Sequence, residues 1–328
     1  MTRILVSAAV AAALMVAACS AGGGGAPMTP TSPPPSPAAP TGATPAAPLT
    51  AGGPAPALPH AQDGHYVGFS VPGFTPDFDK LVSFSLKARL MPNLVSFYVG
   101  MSAPFNPHPA DQIAAMGALP LIQINPSHDS LAAIAHGSKD AWLRAYARGV
   151  RQFGQPIVLG FAHEFNQRVW PWSYKHVTPA VYIAAWRHIH RIFAQAGARN
   201  VIWVWTVNIF TPGTGPAQPY WPGNRYVDWV GLDGYFYNPT ETFANRFSPT
   251  IAQVRTFTDR PILIAETGAN HAAGRAGRIA SLYQGMARTP GVLGFIWFDY
   301  HKLVGHDFVI DDDPAALAAL RRGARTFR

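Results

Sequence analysis

The chain has 328 residues, 48% hydrophobic and 13% charged, with 25 Lys and Arg against 17 Asp and Glu for a formal charge of +8. That apolar share can fill one large core, and no second domain is needed for the length. The positive charge is scattered apart from a group at Arg321, Arg322, Arg325 and Arg328. Such a group reads as a solvated last helix or as attraction to an anionic envelope surface, and the lack of a basic face with interleaved aromatics argues against nucleic acid as a partner.

Met1, Thr2 and Arg3 precede an apolar run from Ile4 to Ala18. A positive start followed by a stretch too short to cross a bilayer predicts an export signal over residues 1–18 rather than a membrane span. The run ends in Val16-Ala17-Ala18-Cys19, which resembles a bacterial lipoprotein signal and implies a lipidated Cys19, with ordinary secretion as the alternative. Cys19 is the only cysteine, so an oxidising destination brings no disulfide. From Ala21 to about His60 there is no Asp, Glu, Lys or Arg, and Pro, Ala, Gly, Ser and Thr dominate. Residues 19–60 therefore read as a disordered, partly extended tether, and residues 61–328 as the folded domain. The Gly22–Gly25 cluster lacks the strand and helix that a phosphate loop needs.

From residue 65 onward, short apolar strands alternate with helical stretches. The strands are expected at Tyr66–Ser70, Leu94–Val99, Leu119–Asn125, Ile157–His163, Val201–Asn208, Trp229–Tyr235, Ile262–Glu266 and Leu293–Asp299. Strands apolar on both faces belong in a buried parallel sheet. The clearest helices are Asp140–Phe153, Pro179–Ala196 and Arg275–Arg288, and Asp313-Pro314 opens a last one as cap and first-turn proline. The acidic run Asp311–Asp313 accordingly reads as a cap before it reads as a calcium site. Eight strands, each followed by a helix, predict a (β/α)8 barrel with its reacting groups at the C-terminal strand ends.

Two of those ends carry carboxylates. Strand four is apolar until His163-Glu164-Phe165-Asn166, and strand seven until Glu266-Thr267-Gly268. A structural ion pair is the plain reading of either glutamate alone; for both together it weakens, because a buried unpaired charge is costly. Two facing carboxyls about 5–5.5 Å apart are what hydrolysis of a glycosidic bond with retention requires, one protonating the leaving oxygen and the other attacking the anomeric carbon.

The segments Phe161-Ala162-His163-Glu164-Phe165-Asn166 and Trp170-Pro171-Trp172-Ser173 resemble those of glycoside hydrolase family 26, best known for β-mannanases. Trp186–Ile189, Asn200–Trp205, Tyr226–Tyr235, Ile264–Gly268 and Trp297-Phe298-Asp299 follow in the family's order, so the resemblance covers about Gly154 to Tyr300. It implies a retaining barrel with Glu164 as acid/base, Glu266 as nucleophile, Tyr235 donating to the nucleophile, His163 holding the sugar or orienting the acid/base, and Trp297 as a floor beneath the sugar. The chain departs from the family at Gln167, Arg168 and Val169, and at Gly160, where relatives often carry Arg.

Aromatics suited to sugar faces gather nearby: Trp170, Trp172, Trp205, Trp221, Tyr235, Tyr237 and Trp297. Trp170, Trp172 and Trp297, at strand ends or loops, are expected to face substrate, whereas Trp203 and Trp205 read as core. Asn166 belongs to the substrate set with them. Asn125 and Asn208 end their strands and serve either a sugar hydroxyl or a loop cap. His301 and His306 lack companions at metal spacing, so neither metal nor cofactor is inferred. The expected protein is an exported, membrane-anchored monomer acting on polysaccharide, by resemblance a β-1,4-mannanase. A β-glucanase, an envelope-glycan hydrolase and a non-catalytic carbohydrate-binding lipoprotein remain as alternatives.

Overall fold

A computed structural model of the protein describes residues 65–75, 77–301 and 306–327. The export signal, Cys19 and the tether lie outside the described residues. Elements follow in the order β1 (Tyr66–Ser70), α1 (Phe78–Ala88), β2 (Leu94–Gly100), α2 (Pro107–Ala115), β3 (Leu119–Asn125), α3 (Leu131–Ala135), α4 (Asp140–Phe153), β4 (Ile157–Phe161), α5 (Pro179–Gln195), β5 (Val201–Asn208), β6 (Trp229–Asp233), α6 (Phe243–Arg246), α7 (Ser248–Val254), β7 (Ile262–Thr267), α8 (Arg275–Ala287), β8 (Val292–Phe298) and α9 (Pro314–Thr326). The eight strands pair in parallel, each with its neighbour in sequence, and β8 closes on β1 to give a (β/α)8 barrel.

Alternation along each strand separates two apolar layers. Leu94, Leu119, Leu121, Val158, Ile202, Val204, Trp229, Leu263 and Ile296 meet inside the barrel. Their neighbours, including Phe69, Phe97, Ile122, Leu159, Trp203, Trp205 and Phe295, pack with Phe84, Leu143, Tyr182 and Ile189 of the surrounding helices. Strands buried on both faces are thus the reason why their sequence reads as continuous apolar runs. Trp203 and Trp205 lie in this outer layer, as their spacing predicts.

Above the inner apolar layer the barrel turns polar. Gln123 Nε2 donates to Thr206 Oγ1 at 3.1 Å across the interior. Gly160 and Gly231 make room for this pair: a Cβ at 160 would stand 1.9 Å from Gln123 Oε1, and one at 231 would stand 2.3 Å from Thr206 Oγ1. Gly160→Ala is therefore expected to cost about 1–3 kcal/mol by overpacking, measured as a fall in melting temperature. A variant melting with the parent would show that Gln123 has another place to go.

Capping fixes the helices at the expected points. Thr178 accepts from Val181 N at the start of α5, and Asp313 accepts from Ala316 N at the start of α9. Asp311 pairs with Lys87 at 2.5 Å, so these acids are engaged in holding α9 and α1. Strands β4 and β6 stop at Phe161 and Asp233, two residues short of the expected His163 and Tyr235. At β4 the reason is local: Ala162 enters the left-handed region, and the strand cannot continue through it.

Candidate active site

The end of β4 is strained and tightly held. Ala162 and Glu164 have φ of 49° and 50°, a conformation that costs about 1–3 kcal/mol for a residue with a side chain and persists only where its surroundings impose it. The surroundings do so. Ala162 N donates to Ile124 O at 3.1 Å and Glu164 N to Thr206 O at 3.0 Å. Trp172 Nε1 donates to His163 O at 2.7 Å. Asn166 brackets the backbone of Asn208, donating to its carbonyl at 2.8 Å and accepting from its N–H at 2.9 Å.

That bracket places Asn208 so that its Nδ2 donates to Glu164 Oε1 at 2.5 Å, while Trp170 Nε1 donates to Oε2 at 3.1 Å. The second carboxyl is held across the barrel mouth. Register shifts along β7 set Glu266 opposite Asp233 of β6, and Glu266 accepts from the hydroxyls of Tyr98 on one oxygen and Tyr235 on the other. Both glutamates keep 8% exposure, so each reaches solvent at the cleft and is otherwise enclosed.

The four donors to these carboxyls are all neutral, and no described ion pair includes either glutamate. Burial therefore raises both. Glu266 goes up to about 8, through burial first and then the charge of Glu164, with the Tyr235 and Tyr98 hydroxyls opposing. Glu164 also rises through burial, opposed by Asn208 and Trp170. Two interacting acids of this kind share protons as a pair. His163 Nδ1 lies 3.0 Å from Asn125 Oδ1; with that oxygen accepting, Nδ1 carries the proton and Nε2 keeps its lone pair. Burial lowers its pKa to about 3, so the ring is neutral.

A third carboxyl completes the site. Asp233, at the end of β6, is fully buried, and neither of its oxygens has a hydrogen-bond partner among the described residues. Burial, then Glu266 and Glu164, raises its pKa well above the ordinary carboxylate range. Ligating atoms of His163, Glu164 and Asp233 all lie within 4.8 Å of one another.

The structure thus brings Glu164, Glu266, His163, Asn208, Tyr235 and Trp170 to one place. Three sequence-predicted substrate contacts lie elsewhere. Asn166 is fully buried, with its amide used by the Asn208 backbone. Trp172 is 1% exposed and stacks beneath Trp170 at 4.8 Å and 8°, so it backs that partly exposed tryptophan. Trp297 pairs with Phe69 across the β1–β8 seam and packs in the layer facing the helices. Strand alternation turns its neighbour Phe298 inward instead, edge-on to Tyr235 at 5.9 Å and stacked on Tyr300 at 3.8 Å. Trp205 and Trp221 also meet on the outer side, 5.0 Å apart.

Sequence reading passed over Tyr98 and Asp233. Each could have been found by parity: Leu94, Ser96 and Tyr98 share one face of β2, and Trp229, Gly231 and Asp233 share one face of β6. Removing the Tyr98 hydroxyl takes away one of two donors to Glu266. Tyr98→Phe is expected to lower kcat/KM on any substrate by about 10–100-fold, the worth of a hydrogen bond to a charged group. Unchanged turnover would mean that Tyr235 alone suffices.

Comparison with known proteins agrees with this geometry. The sequence profile of glycosyl hydrolase family 26 matches residues 130–270, the span holding Glu164, Asp233, Tyr235 and Glu266. Endoglucanase H of Acetivibrio thermocellus is 30% identical over 266 residues, covering 76% of this chain and 29% of that protein. The β-1,3-xylanase TXYA of a Vibrio species is 29% identical over 137 residues, 41% of this chain and 28% of that one. The chain thus spans less than a third of the length of these relatives. Among solved structures, a family 26 β-mannanase from Bacteroides ovatus superposes with a TM-score of 0.63 at 16% identity, over 82% of this chain and 91% of that one, a likeness of fold. On the matching profile, the aligned relative and the shared barrel, the chain belongs to glycosyl hydrolase family 26.

Proposed function

We propose that this protein hydrolyses an internal β-linkage of a polysaccharide with retention of configuration, Glu164 acting as acid/base and Glu266 as nucleophile. The observation that carries the reading is the pair of carboxyls at one barrel mouth, each held by its own set of neutral donors. Glu266, fixed by two hydroxyls, is oriented to attack the anomeric carbon, and positive charge developing on the sugar favours its ionised form. Glu164, raised by burial, keeps a proton for the leaving oxygen and afterwards takes one from water. Trp170, partly exposed beside Glu164, offers an aromatic face for a sugar ring.

A β-1,4-mannan backbone is the first substrate to try. The relatives' names span glucan, xylan and mannan, and Gln167, Arg168 and Val169 lie on the loop leading to Trp170. The test is to incubate the protein with β-mannan, β-glucan and β-1,3-xylan and follow the new reducing ends by proton NMR. Shortened chains whose first-formed end is the β-anomer are expected from one of the three. An α-anomer formed first would overturn retention, and binding without new ends would make the protein a lectin. We further propose that the barrel is exported and anchored through Cys19, with residues 19–60 as its tether. Palmitate label incorporated by the full chain and absent from Cys19→Ser is the expected result; equal labelling would exclude the anchor.

A further inference from the structure

We propose that His163, Glu164 and Asp233 form a binding site for a divalent transition cation such as Zn²⁺, and that the bound ion holds the hydrolase inactive. Asp233 motivates the proposal. It is a fully buried carboxyl with two unpartnered oxygens, and an unsatisfied buried polar group is costly enough to call for a partner. The surrounding residues supply no cation: none of the three carboxyls at the barrel mouth enters an ion pair among the described residues.

The donor set suits a borderline ion. Zinc takes imidazole nitrogen and carboxylate oxygen at about 2.0–2.2 Å, and three protein ligands leave a position for water. His163 offers a bare Nε2 because Asn125 holds its Nδ1–H, the outer hydrogen bond that orients a metal-binding imidazole. Glu164 is likewise held from behind by Asn208 and Trp170. Ligating atoms of all three residues lie within 4.8 Å of one another, and an arriving ion would draw them together to its own bond lengths. Once the ion displaces their protons, two carboxylates and a neutral ring present two negative charges to a doubly positive ion. The ion would sit where the acid/base keeps its proton, so binding and turnover exclude each other. Glu266 is outside the set, and this separates the proposal from the hydrolytic reading on which its inhibitory part rests.

The experiment uses the full chain, stripped with a chelator and titrated with Co²⁺ alone, following the visible absorption of a low-symmetry cobalt site, and with Zn²⁺ by calorimetry. One ion per chain is expected. Affinity should fall about 10-fold or more in Asp233→Asn and in His163→Ala and change far less in Glu266→Gln, which removes a neighbouring charge but no ligand, with folding checked by circular dichroism. No cobalt spectrum at millimolar metal, or equal affinity in Asp233→Asn, would overturn the site. If the variants do not fold, X-ray absorption of the zinc-loaded parent decides: a single imidazole among oxygen donors supports the site, and two or more imidazoles refute it. Metal binding by a protein that cleaves no glycan would sink the hydrolase and leave the site standing. Hydrolysis indifferent to zinc despite a filled site would sink only the inhibition.

Discussion

Glu266→Gln is expected to leave a folded barrel with about 10⁴-fold or greater loss of kcat, the scale seen when one member of a catalytic unit is removed. Glutamine keeps the shape and can still meet Tyr98 and Tyr235, but it cannot form the glycosyl ester. Stability should move the other way. The Glu266 carboxyl is pushed up to about 8 in the fold and lies near 4.3 in an unfolded chain, so the folded state binds its proton more tightly. A raised acid favours the fold at low pH and disfavours it progressively as pH climbs from about 4 toward 8. Glu266→Gln removes that penalty, so its melting temperature relative to the parent should be higher at pH 8 than at pH 4, each ~1 kcal/mol being worth about 2–4 °C in a domain of this size. A parent and variant melting with the same pH dependence would show that the carboxyl is ionised in the fold at little cost. Substitution by alanine opens space for a small anion. Azide should then restore turnover of an activated β-glycoside and give the α-glycosyl azide, because it enters from the face that Glu266 occupied.

Much of this site was legible because barrel strands obey a simple rule: apolar until they reach the mouth, then carrying whatever the chemistry needs. Glu164 and Glu266 stand out on that rule alone, and their strands lie fourth and seventh in the closed barrel. The same rule, applied to side-chain parity, would have exposed Tyr98 and Asp233. It would also have placed Trp297 on the outer face, since Ile296 belongs to the inner core and alternation turns the next residue outward. The Asn166 bracket was not legible in the same way. An asparagine two residues past an acid can meet a sugar or clamp a neighbouring strand, and only the position of Asn208 decides for the clamp. Nor did the pattern announce the left-handed Ala162 and Glu164, because both residues are ordinary strand and helix occupants; the bonds from β3 and β5 that impose the conformation come from distant sequence.

Glu164→Ala should behave differently from Glu266→Ala, and the difference assigns the roles. On a natural polysaccharide the leaving group is a sugar alkoxide that needs a proton as the bond breaks, so the loss should be about 10²–10⁴-fold, the worth of general acid–base catalysis. An aryl glycoside with a strongly acidic phenol needs no such help: Glu266 can still expel it, and the glycosyl-enzyme then waits for water that no base activates. A burst of phenolate followed by slow turnover is therefore expected. Azide needs no base, so it should relieve the slow step and yield the β-glycosyl azide, opposite to the product from Glu266→Ala. The pH profile gives an independent reading. Glu164 must be protonated to act as acid; burial raises its pKa while Asn208 and Trp170 pull it down. Asn208→Ala removes one opposing donor and should carry the alkaline limb of kcat/KM to higher pH, and in Glu164→Ala that limb should disappear for the aryl substrate. If the β-azide came from Glu266→Ala and the α-azide from Glu164→Ala, the two carboxyls would have exchanged roles, and the donors at each would need a different account: two tyrosine hydroxyls holding the acid and an amide with an indole holding the nucleophile.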